Sequence, residues 1–328
     1  MTARFRRSSA KPGTTLFFAT DLHGSDVCFR KFVAAASFYG ADLLVLGGDL
    51  TGKFVVPIVR RADGAFTAEQ FGRETVIAES DVARFEGESA GQGLYATRMT
   101  HDEYTGYASD PAAAQSLFGT LMRERLTRWL NYAQERLGTT DVKIVTAPGN
   151  DDPFEIDDVI REHGGGRTLL LEGEIYEVAP GHEMLNTGWS NPTPWQTHRE
   201  APEEELALRI AAIADRLERP ETAIFNIHAP PHNSGLDTAP QLDENHAVVT
   251  SMGAQVAAPV GSTAVREALE RYQPLVSLHG HIHEAAGVAR VGRTVAINAG
   301  SEYGEGVLRG VLVTVGGGQL IRYQQTTG

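Results

Sequence analysis

Five short apolar runs of this chain each end in side chains that bind metals. Residues 15–20 run into Asp21-Leu22-His23, and 43–46 into Gly47-Gly48-Asp49. Residues 142–147 run into Gly149-Asn150-Asp151, 223–227 into His228, and 275–278 into Gly280-His281-Ile282-His283. Short apolar runs bounded by Gly and Pro read as buried strands. Ligands of open α/β sheets bind at the carboxyl ends of strands. Five such ends in order predict that Asp21, His23, Asp49, Asn150, His228, His281 and His283 converge on one edge of a sheet. Alternate residues of an extended strand share a face. Asp21 and His23, and likewise His281 and His283, are therefore expected to face the site in pairs.

The intervening segments predict an α/β fold. Residues 25–39 read as a helix with Val27, Phe32, Ala35 and Phe38 inward. Its place between two strands predicts a parallel pair with a right-handed crossover. Residues 110–137 form a long helix, capped by Asp110, with Pro111 in its first turn and Gly138 after its end. Residues 157–163, 202–217 and 262–271 read as further helices. The strands expected at 168–171, 174–178, 184–187, 287–291, 294–297, 307–315 and 320–324 lie close together in sequence. That pattern suggests two packed sheets with helices outside. Residues 53–107 interrupt it as a β-rich insert, with strands at 54–60, 65–71 and 74–78. The insert is expected to act as an active-site lid, or else to extend the main sheet or pair two copies of the chain.

The chain of 328 residues carries a net charge of −13. Arg4, Arg6, Arg7 and Lys11 fall in the first eleven residues. Residues 1–13 are therefore read as a frayed basic terminus, and the remainder is more acidic still. A body of this charge argues against tracking a nucleic acid backbone. No stretch reaches the ~20 apolar residues that span a bilayer. The single Cys28 fits a reducing cytoplasm.

Two carboxylates, one amide and four imidazoles make a nitrogen and oxygen donor set that suits Mn, Fe or Zn. Seven ligands exceed the needs of one tetrahedral ion. They match two ions ~3.5–4 Å apart that share a carboxylate and clamp a phosphate.

The ordered series DLH, GGD, GND, H and GHIH resembles the calcineurin-like metallophosphoesterase superfamily over nearly the whole chain, from Thr14 to about Gln324. Ser190-Asn191-Pro192-Thr193-Pro194 and Asn298-Ala299-Gly300-Ser301 are similar to a bacterial and archaeal subgroup of it. The resemblance implies an α/β/β/α sandwich of four layers over residues 14–328, containing the insert 53–107, with a dinuclear metal centre. Asp21, His23 and His283 would hold one ion, Asn150, His228 and His281 the other, and Asp49 would bridge them. A hydroxide on the metals would attack the phosphorus of a small phosphodiester or phosphomonoester. A scaffold with a vestigial site, and a nuclease, are the alternatives.

The third motif departs from the family pattern. GNH is usual there, and Asp151 stands where the His acts on the leaving oxygen. A carboxylate performs that step only when its pKa is raised. The substitution implies a preference for leaving groups that need little protonation. Lys53 follows Gly-Asp-Leu-Thr-Gly where protein phosphatases of the superfamily carry Arg, which argues against a protein substrate. His101 and His232 are the candidates to replace the missing His. His279 is read as strand-end packing. His163, His182, His198 and His246 are read as solvated.

Overall fold

A computed structural model describes residues 13–328; the basic opening segment lies outside the described residues. Two six-stranded sheets make the body. In spatial order the first holds Gln319–Thr327, Arg309–Gly316, Thr14–Ala19, Leu43–Leu46, Lys143–Thr146 and Thr168–Leu170. The last four are mutually parallel, Arg309–Gly316 joins them antiparallel, and Gln319–Thr327 pairs antiparallel with Arg309–Gly316. The second sheet holds Gly287–Val291, Thr294–Asn298, Val276–His279, Ile224–Ile227, His182–Thr187 and Ile175–Ala179. Its four central strands are parallel, and both edge strands are antiparallel.

Strand alternation divides the core into layers. In the first strand Leu16 and Phe18 face the second sheet, where they meet Met184, Ile224, Val276 and Leu278. Phe17 and Ala19 point the other way, against Phe29 and Phe32 of the helix Asp26–Tyr39 and Leu126 and Leu130 of the helix Pro111–Leu137. On the far side, Leu185 and Phe225 pack on Leu206 and Ile210 of Glu203–Ala214 and Leu269 of Thr263–Tyr272. The result is the expected order of helices, sheet, sheet and helices.

Several local expectations need correction. Val27 (38 % exposed) and Phe38 (80 % exposed) are not inward. The buried stripe of that helix is Phe29, Phe32, Val33 and Ala36, spaced by three and four residues, and both side chains fall off it. Ser80 reads in the sequence as the cap of a short helix from Asp81, but it lies within a 3-10 turn, Glu79–Asp81, and the helix spans Val82–Gly91. His182 is buried, not solvated: its Nδ1 meets the Thr222 carbonyl at 2.9 Å and its Nε2 accepts from the Gly318 amide. The helix start at Ser262 is occupied by Glu203, whose carboxylate accepts from the Ser262 hydroxyl and the Thr263 and Ala264 amides.

The segment after Lys53 extends neither large sheet. Val55–Arg60, Phe66–Gln70, Arg73–Ile77 and Tyr95–Met99 form a sheet of their own around Ile58, Phe66 and Val82. Tyr95–Met99 and the helix His101–Ser109 were not marked in the sequence. Arg125 of the long helix ties this sheet to the body, donating to the carbonyls of Gly24 (2.6 Å) and Leu94 (3.1 Å).

Candidate metal centre

All seven side chains named from the sequence meet at the carboxyl ends of the parallel strands. Imidazole Nε2 of His23 lies 3.0 Å from Nε2 of His283, and Asp21 Oδ1 lies 3.3 Å from that His283 nitrogen. Asp49 Oδ2 lies 3.6 Å from His23 Nε2 and 3.4 Å from His228 Nε2. His281 Nδ1 meets the Asn150 side-chain oxygen at 2.7 Å, and its ring sits 5.3 Å from that of His228. Among the described residues three sets of three have donor atoms close enough for one ion: Asp21, His23 and His283; Asp21, Asp49 and His228; and His23, Asp49 and Asp151.

The backbone reaches this arrangement by a route other than strand alternation. Asp21, His23, Asp49 and His281 all hold positive φ, between 40° and 68°. Left-handed backbone is uncommon outside glycine and persists where surrounding structure over-determines it. Here the surroundings are explicit. The Asp21, His23 and Gly24 amides donate to the carbonyls of Gly48, Asp49 and Leu50, zipping the first two motif loops together. The His281 amide donates to the Asp21 carboxylate at 3.1 Å. The side chains therefore converge from turns beyond the strand ends.

Glycine is required at two of these turns. A Cβ on Gly149 would strike the Asp49 carboxylate, and one on Gly280 would strike that of Asp21.

Asp152 holds the third motif against the second. Its buried carboxylate accepts from the amides of Leu50 (3.0 Å), Thr51 (2.9 Å) and Gly149 (2.8 Å), and from the Thr51 hydroxyl (2.8 Å). Asp152→Asn turns one acceptor into a donor facing these amides. Urea unfolding is expected to show a loss of about 2 kcal/mol.

The quoted tail motif also braces the site. Asn298 donates to the carbonyls of Leu236 and Ile282, and Ser301 donates to the Asp21 carbonyl at 2.7 Å. His279 is a satisfied core residue, with Nδ1 on the Ile227 and Ala229 carbonyls and Nε2 on Ser277. Tyr303, unmarked in the sequence, packs its ring 4.7 Å from His23 and 5.8 Å from His283.

Charge is distributed unevenly. Burial would raise the pKa of Asp21 and Asp49. The adjacent imidazoles, His283 at Asp21 and His228 at Asp49, outweigh it and hold both below the ordinary carboxyl range. Burial lowers His23 to about 3 and His281 to about 4, so both rings are neutral at pH 7. Burial would also lower His228, but Asp49 and Asp21 raise it to about 10.

Asp151 has a partner the sequence did not disclose. Lys53 Nζ lies 2.5 Å from its Oδ2. Burial and the Asp49 charge raise the Asp151 pKa, and Lys53 opposes them. On the lysine, burial works downward but Asp151 prevails, so the ammonium is kept. His101 is exposed at the start of its helix, and His232 lies near Asp237 (3.8 Å). Neither lines the cavity at the cluster, whereas His198 does. His198 is flanked by two contacts to Asn150: Thr197 Oγ1 accepts from its amide group (2.8 Å), and the Arg199 amide donates to its carbonyl (3.2 Å).

No family model and no curated protein sequence matches the chain. Solved structures do. One is 15 % identical with a TM-score of 0.53, covering 96 % of this chain and 98 % of its own. Another, TT1561 of Thermus thermophilus, is 13 % identical with a TM-score of 0.51 and the same coverage of both chains. The chain shares the layered α/β fold of these two structures. At these identities the likeness concerns the fold alone. Among the described residues no helix is long and apolar enough to cross a membrane.

Proposed function

We propose that the protein is a dinuclear metal-dependent phosphoesterase acting on small phosphodiesters or phosphomonoesters. The observation that carries this reading is the convergence of Asp21, His23, Asp49, His228 and His283 in sets of three whose donor atoms could hold one ion, with His228 Nε2 buried among them without a hydrogen-bond partner. An unpaired buried polar atom is costly and rare. The Gly47 carbonyl takes His228 Nδ1 at 2.8 Å and leaves Nε2 facing Asp49 and Asp21. Such backbone bonds to the far nitrogen orient metal-binding histidines. The donors are all nitrogen and oxygen, which suits Mn, Fe or Zn.

Asp21, His23 and His283 would hold one ion and Asn150, His228 and His281 the other, with Asp49 between them. Bound ions would polarise a phosphoryl oxygen and activate water. The chain's own groups do the positioning. Asp49 is aligned by the Asp151 amide, which donates to its Oδ1 at 3.0 Å. Thr197 and the Asp151 carboxylate accept from the amide group of Asn150, which turns its oxygen toward His281, the neighbouring member of the same proposed set. Lys53 would meet a phosphoryl oxygen with its ammonium, and Asp151 would anchor that lysine. In this reading Asp151 is a positioning residue and does not protonate the leaving group.

Metal uptake is expected to release protons. His228 is protonated at pH 7, and a cation against Asp21 and Asp49 must displace that proton. Protons therefore compete with metal, and affinity weakens as pH falls. Calorimetry in buffers of different ionisation heat should show release of about one proton from this ring; no buffer dependence would contradict it.

Metal analysis of the purified protein, with turnover measured after adding Mn2+, tests the function. Bound metal and metal-dependent turnover are expected. Neither bound metal nor turnover would leave a scaffold.

A further inference from the structure

The inference rests on the phosphoesterase reading and names the class of ester. We propose that the cavity at the metal centre seats a flat aromatic group, aryl or nucleobase, carried by an ester with a single phosphoryl group.

The cavity encloses about 870 Å3, and its lining includes Asp49, Asn150, His281 and His283. The rest of the wall is largely apolar and comes from separate parts of the chain. Phe54 enters from the segment after the second motif, Phe118 from the long helix, and Trp195 from the loop after Ser190. Leu242 and Val260 flank the paired strands Thr238–Pro240 and Ala257–Pro259. Two of these rings are left open to solvent: Trp195 is 66 % exposed and Phe54 is 62 % exposed. Rings this exposed beside a polar centre gain most when a ligand covers them.

The loop that presents Trp195 is rigidly built. The Glu200 carboxylate accepts four hydrogen bonds, from the amides and hydroxyls of Thr193 and Thr197. The Trp195 amide donates to the Thr193 hydroxyl at 3.2 Å. Buried Arg199 fixes the loop's end through Asp157 at 2.6 Å. Thr197 and Arg199 also hold Asn150, so the element that orients a proposed ligand also carries the indole. A surface held in place loses little freedom when a ligand arrives. Trp189, by contrast, is half-buried beneath Arg209 at 3.8 Å and does not line the cavity.

The charge of the lining limits the ester. Lys53 is the one lysine or arginine among the described lining residues, and Asp151 already shares it. A triphosphate or a nucleic acid strand would bring anions that nothing in the wall meets. One phosphoryl group at the centre and one ring against Trp195 account for both features.

Binding to the Mn2+-supplied full chain tests this, using matched pairs in calorimetry: phenyl phosphate against methyl phosphate, and AMP against ribose phosphate. The aromatic member of at least one pair should bind about tenfold or more tightly, the scale of base stacking on an aromatic side chain. Whichever pair shows the larger ratio distinguishes aryl from nucleobase. Trp195→Ala, a change at an exposed side chain, should erase most of that ratio and leave methyl phosphate affinity unchanged. Metal-dependent binding of methyl phosphate with equal affinity inside both pairs overturns the aromatic pocket alone. A ratio that survives in both Trp195→Ala and Phe54→Ala overturns it too. If none of the four compounds binds, the pocket and the phosphoesterase reading fall together.

Discussion

Asp49→Asn is expected to lower kcat by at least about a thousandfold and to leave no more than one metal ion on the chain. The side chain is buried, with Oδ1 held by the Asp151 amide and Oδ2 near the imidazoles of His23 and His228. Asparagine keeps the shape but removes the negative charge between the two proposed ions. Two cations about 4 Å apart repel strongly in a low-dielectric site, so loss of the shared anion should expel one. Metal content per chain and turnover check the prediction together. A metal-free melting curve within a few degrees of the wild type would show that the fold is kept. A variant that retains two ions and full activity would remove Asp49 from the bridge.

The second large effect is expected at Lys53. Lys53→Met removes the one ammonium among the described lining residues and should lower kcat/KM about a hundredfold, typical of losing a charged contact to a phosphoryl group. Asp151→Asn should cost about tenfold, because the lysine loses its anchor at 2.5 Å. The double variant should be no worse than Lys53→Met alone, since Asp151 acts through the lysine. That non-additivity separates the two roles open to Asp151. A proton donor would lose rate whether or not Lys53 is present, and its loss would hurt alkyl esters more than aryl ones. Additive losses, or losses confined to alkyl esters, would return Asp151 to the place of the missing His.

The strand ends were legible because two independent patterns coincide there. Apolar runs mark the strands, and polar metal-binding residues mark where each one leaves the core. The four layers could be read for a related reason. Continuous apolar strands such as Leu16–Ala19 and Leu43–Leu46 must be covered on both faces. What could not be read depends on contacts distant in sequence. Lys53 and Asp151 are 98 positions apart and meet only because Asp152 clamps the loop after Asp49 to the loop after Gly149. Trp195 and Phe54 share a cavity through no periodicity that a sequence displays. The pairing of Asp21 with His23 was expected for the wrong reason. Strand alternation would have placed both on one face, whereas four of the seven residues reach the centre through left-handed turns. His182 misled in the opposite direction, because polar neighbours in sequence concealed a strand whose backbone partners satisfy both ring nitrogens.

The most direct measurement is turnover of a para-nitrophenyl phosphodiester as Mn2+ is titrated into chelator-treated protein. The account predicts activity that climbs with added metal and levels off at two ions per chain. Activity that levels off at one ion, or that persists in full under chelator, would contradict it.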